Sequence, residues 1–177
     1  MAGEKRKRRG RRAYLDDFQR TATGEYVYTG KTHRYRDENL TRRQALTRLW
    51  ALTAVMAGGV VAAGCLPAAG TFNTPYVILP YAGSLLSAGS VVWLMCRLTA
   101  GGDPLPDYVH AATVKQFGPR GTLTLVVSAA TVAGELLHLA LNGAGDRLWA
   151  TVGFLACEGL AAAGAALWRV ATKKLDW

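Results

Sequence analysis

The chain has 177 residues, with 21 Lys+Arg against 12 Asp+Glu, a formal net charge of +9 and 50% hydrophobic residues. Its mean hydropathy of +0.10 averages two unlike parts: residues 1–48 hold 14 of the 21 basic residues, whereas residues 49–96 hold no Asp, Glu, Lys, Arg or His. That uncharged stretch is about two spans of roughly 20 residues and a turn, which excludes a soluble enzyme, a disulfide-stapled secreted domain and a wholly disordered chain.

The chain opens on a basic arm, residues 1–41. Lys5, Arg6, Lys7, Arg8, Arg9, Arg11 and Arg12 put seven cations in eight positions. Like charges repel and nothing apolar is there to bury, so disorder is expected over 1–12. The run can hold anionic headgroups at about 1 kcal/mol per residue, or the phosphates of RNA or DNA. No base-reading element accompanies it, so the expected partner is the anionic cytoplasmic leaflet rather than nucleic acid. Residues 25–35 then place two β-prone arms around Thr29-Gly30-Lys31. They read either as a poorly ordered linker or as a hairpin with Gly30 at a positive φ, in which Tyr28 faces Thr32, Tyr26 faces Arg34 and Val27 faces His33. A lone two-stranded hairpin is marginal in water. It would need the membrane surface, the middle loop, a second copy or a partner protein, which makes Tyr26, Tyr28, Gly30 and Tyr35 candidate interaction residues.

Thr41 and Gln44 have the capping-box spacing, so the first helix should start near residue 42. A four-helix transmembrane domain is expected over 42–170, with spans at about 49–66, 76–96, 121–141 and 148–168 in an antiparallel bundle. The loop at 97–120 reads as a turn, then a short surface helix from Tyr108 to Phe117 that Gly118-Pro119 ends. Residues 171–177 form a C-terminal tail. Basic residues cluster in the arm, the middle loop and the tail, and Arg147 alone lies in the opposite loops. This bias puts both termini in the cytoplasm, most simply of a plasma (inner) membrane protein. Trp50, Trp93, Trp149 and Trp168 fall near span ends, where indoles favour the interface. Arg42-Arg43 followed by Ala62-Ala63-Gly64-Cys65 resembles a twin-arginine signal with a lipoprotein box. Ala45 stands where that motif has a bulky residue, and three further spans follow, so the segment reads as a first anchor helix.

The third span carries Thr124, Ser128, Thr131, Glu135, His138 and Asn142 at spacings of three and four, which is one helical face. Thr151, Glu158, Ala162 and Ala165 share a face of the fourth. Small residues, such as Gly58-Gly59, let helices approach closely, and polar ones bond across the interface. Carboxyls at mid-bilayer are expensive, so Glu135 and Glu158 need a role. One role is structural glue, including a bond from Glu135 to His138 one turn away. The other is an ion or proton site made of Glu135, His138 and Glu158, with Thr131 and Asn142 beside it. Glu135-x-x-His138 also has the spacing of half a di-iron helix motif, but a complete site needs a second such pair and more carboxylates. Cys65, Cys96 and Cys157 lie far apart and read as small packing residues. No phosphate loop, nucleophile elbow or zinc-protease helix is present. The expectation is a non-enzymatic accessory or scaffold subunit with no cofactor and no metal, bound to lipid and to a protein partner or a second copy. The alternative is a small ion- or proton-coupled transporter or channel subunit.

Overall fold

The computed structural model describes residues 15, 17–21, 24–37, 40–72 and 74–175, and the basic run from Lys5 to Arg12 lies outside them. Three short strands precede the helices: β1 (Phe18–Arg20), β2 (Tyr26–Tyr28) and β3 (Thr32–His33). Helices α1 (Arg42–Gly64) and α2 (Pro75–Ala100) follow, then β4 (Leu105–Pro106), α3 (Asp107–Ala112), α4 (Phe117–Asn142) and α5 (Leu148–Lys173).

Four helical runs are long and apolar enough to cross a membrane: α1, α2, the run that ends in α4 and the run that ends in α5. They close a ring in which α1 packs on α2, α2 on α4, α4 on α5 and α5 back on α1. The interior of the ring mixes apolar side chains such as Met56, Leu94 and Phe154 with a buried polar seam. Thr53, Ser84, Ser87, Thr124, Ser128, Thr131, Glu135, Thr151 and Glu158 are buried inside it, while Leu79, Leu86, Trp93, Leu141 and Trp149 point outward. Polar groups turned inward and Leu turned outward is the arrangement that lipid solvation favours.

Local chemistry explains where α1 and α4 begin. Thr41 accepts from the Gln44 N–H, and the Gln44 side chain accepts from the Thr41 N–H at 3.0 Å, so α1 begins in a full capping box. Gly118-Pro119 does not end the loop helix as the sequence reading had it. Pro119 sits in the first turn of α4, where its missing N–H would have had no helical partner. Pro80 lies inside α2 and frees the Tyr76 carbonyl one turn earlier. Gly134 covers that carbonyl so closely that a Cβ there would lie 2.6 Å from it. The α1–α5 crossing is equally tight, because a Cβ on Gly59 would stand 2.8 Å from the Cys157 carbonyl oxygen.

Three expectations are corrected. Trp168 is not an interfacial anchor: it is fully buried and stands edge-on to Phe117 with ring centroids 5.2 Å apart. Cys65 and Cys96 are exposed on the bundle rather than packed in it, and Cys157 is half-buried. The arm does not form a hairpin about Gly30. Instead β2 pairs with β1, Phe18 opposite Tyr28, and the connection turns at Gly24 with φ +88°. Strand β3 pairs antiparallel with β4 of the middle loop, Thr32 opposite Pro106 and His33 opposite Leu105. Arm and loop therefore share one end of the bundle, called the arm end below.

Candidate functional site

The polar faces of α4 and α5 do two separate jobs. Toward the far end, the α1–α2 connection carries a 3-10 turn at Ala69–Thr71 that reaches into the bundle, with Ala68 and Gly70 buried. The first N–H groups of such a turn have no partner of their own. Thr151 of α5 accepts from the Ala69 N–H at 2.9 Å, and Glu135 of α4 accepts from the Gly70 N–H at 3.0 Å. A Cβ on Gly70 would land on the Glu135 carboxyl, so only glycine lets the turn approach this closely.

Deeper in the bundle, Ser84 of α2 meets Ser128 of α4 at 3.0 Å and Thr131 at 3.5 Å, and makes a long contact of 3.4 Å to Glu158 of α5. Glu135 and Glu158 are therefore held by different elements. Each keeps one buried oxygen without a hydrogen-bond partner, Oε2 of Glu135 and Oε1 of Glu158. Among the described residues, neither carboxyl has a basic group within ion-pair distance.

The geometry corrects the proposed bond from Glu135 to His138. His138 Nδ1 meets the Tyr76 hydroxyl at 3.2 Å and lies 3.4 Å from the Asn142 amide, so these three form a far-end cluster apart from Glu135. Because the two side chains turn to different partners, their spacing does not make half of a di-iron site. Of the five polar candidates on the long helices, Thr131 and Glu158 share the Ser84 network, Glu135 caps the buried turn, and His138 and Asn142 sit with Tyr76.

At the arm end, the strands are fixed to the loop. Phe18, Tyr28 and Tyr108 form an aromatic trio with centroids 5.3–6.1 Å apart. The Asp107 N–H donates to the Lys31 carbonyl at 2.9 Å, and Arg42 donates to the Gly102 carbonyl at 2.7 Å. Of the hairpin candidates, Tyr28 packs inward, its pKa raised by burial, and its hydroxyl donates to the Lys31 carbonyl. Burial, then the charge of Asp37 and a hydrogen bond to it, push the Tyr35 phenol up to about 12. Tyr26 is 71% exposed, Val27 stands beside it on the surface and Gly30 is half-buried.

Sequence reasoning missed His33, Asp107 and His110, which meet here. His33 Nε2 lies 2.9 Å from Asp107 Oδ1, and the His33 and His110 rings stack at 4.0 Å. The hydrogen bond from His33 lowers the Asp107 pKa, whereas burial lowers that of His110. The available signal was Asp107-x-x-His110, which puts two ligand-type residues on one helical face; nothing local pointed to His33. No protein-family model matches this chain, and comparison with curated proteins and with solved structures finds no significant match.

Proposed function

We propose that the chain is a four-span integral membrane protein of the plasma (inner) membrane, with both termini and the 97–120 loop in the cytoplasm. On this reading it is a non-enzymatic accessory or scaffold subunit. The observation that carries it is the pinning of the segment before α1 to the middle loop through β3 and β4, which makes the described strands a built platform at one end of the bundle. Tyr26 and Val27 remain outward on that platform, and exposed aromatic residues on a fixed frame suit a protein partner. Beside it, an apolar groove between α1 and α5, lined by Leu49, Leu52, Leu167 and Val170, is rimmed by Arg48 and Lys174. That chemistry suits an anionic lipid, as does the run from Lys5 to Arg12.

The reading is tested by purification in mild detergent. A stoichiometric partner that is retained by the parent and lost from a Tyr26→Ala, Val27→Ala double variant supports it. Clean homodimers that lack any partner and carry pH-gradient-driven flux would overturn it. A second reading, an ion- or proton-coupled transporter or channel subunit, draws on the unpartnered oxygen of Glu158 in the bundle interior. For that reading, Glu158→Gln must abolish flux in vesicles while the protein still folds.

A further inference from the structure

Two of the chain's three histidines meet one aspartate at the joint between arm and loop. Asp107 and His110 lie on successive turns of α3, and His33 is brought to them by the pairing of β3 with β4. One ligand atom from each residue lies within 4.8 Å of the other two. His110 Nδ1 is buried and has no hydrogen-bond partner. His33 and Asp107 stay 32% and 48% exposed at their side chains, which leaves an entry path and room for water.

We propose that His33, Asp107 and His110 form a binding site for a divalent first-row transition ion of the zinc class, which fastens the arm to the middle loop. Imidazole and carboxylate together select such an ion over Mg²⁺ or Ca²⁺, which take oxygen donors. Ligand atoms around a tetrahedral Zn²⁺ lie about 3.3 Å apart, given bonds of roughly 2.0–2.1 Å. Reaching that spacing would take a small opening of the His33 Nε2–Asp107 Oδ1 pair from 2.9 Å and a splaying of the two stacked rings. His33, part-exposed at its side chain, would exchange its bond to Asp107 for one to the metal. Three protein ligands leave a fourth position for water. The metal would join residues 74 and 77 positions apart along the chain, so binding energy goes directly into holding the arm in place. The site stands on its own geometry and does not depend on what the platform binds.

The test uses the full chain in detergent, free of any affinity tag and stripped with a chelator. Zn²⁺ and Mg²⁺ are titrated by calorimetry, and Co²⁺ by visible absorbance. One Zn²⁺ per chain at micromolar affinity or tighter is expected, with Mg²⁺ silent and cobalt bands typical of low coordination. His110→Ala and Asp107→Asn should each weaken Zn²⁺ at least about tenfold. Zn²⁺ should also slow tryptic cleavage at Arg34 and Arg36 in the parent but not in His110→Ala. If His110→Ala loses its helical signal, His33→Gln, on the part-exposed strand, supplies the same readout. No binding up to about 100 μM Zn²⁺, equal affinity in parent and variants, or a sulfur-to-cobalt band that assigns the metal to cysteine would each overturn the site.

Discussion

Glu135 accepts from the Gly70 N–H with one oxygen and buries the other unpartnered. Gln keeps an acceptor for that N–H, so Glu135→Gln should hold stability within about 1 kcal/mol. Glu135→Ala orphans a buried donor and should cost about 1–3 kcal/mol, read as detergent thermal unfolding. Equal losses for Gln and Ala would show that the charge, not the hydrogen bond, matters at this site. The stack of His33 on His110 has its own pH signature in the metal-free protein. The folded pKa of His110 is lowered below 6.5 by burial and by the facing His33 and Lys115, against the smaller opposing pull of Asp107. A base with a lowered folded pKa adds stability that is complete above its unfolded value and is lost as pH falls through the folded one. Amide exchange at His33 should therefore accelerate as pH drops from about 7 to 5, after correction for intrinsic rates. Protection that rises on acidification would mean that the bond between His33 and Asp107 outweighs repulsion within the stack.

At the scale of elements, Gly58 and Gly59 make a matched pair. A Cβ on Gly58 would meet nothing within 4 Å, while one on Gly59 would press on the Cys157 carbonyl and on Ala161. Gly59→Ala should destabilise by about 1–3 kcal/mol through overpacking, and Gly58→Ala should be neutral or better in the same thermal assay. Similar effects at both would place α5 elsewhere. The sequence showed that small residues crowd this helix, but not which of the two adjacent glycines faces α5, since neighbouring positions differ by only about 100°. The start of α1 was legible because its capping chemistry is local to Thr41 and Gln44. The partner of Glu135 was not, because it is a backbone N–H, which carries no residue-type signal. The pairing of His33 with Leu105 joins positions 72 residues apart, and such pairing has no local signature.

For the whole molecule, four long apolar helices were readable because charged residues are sparse over long stretches, and the ring they form turns their polar faces inward. Threading remains to be checked in the cell. In a chain with its three cysteines replaced by alanine, a cysteine at Asp146 should react with an impermeant thiol reagent in intact cells. One at Asp103 should react only after permeabilisation. Both side chains are exposed at opposite ends of the bundle, so equal labelling of intact cells would refute the proposed topology.

The pairing of β3 with β4 also sets an order of events during synthesis. His33 leaves the ribosome before α1, yet its partner Leu105 lies beyond α1 and α2. Strand β3 cannot pair with β4 until α1 and α2 have been made. Until then, among the described residues before α1, β1 and β2 have only each other to pair with. A nascent chain that stalls before residue 105 would leave β3 without β4. Closure of the small sheet thus waits for the synthesis of every residue between His33 and Leu105.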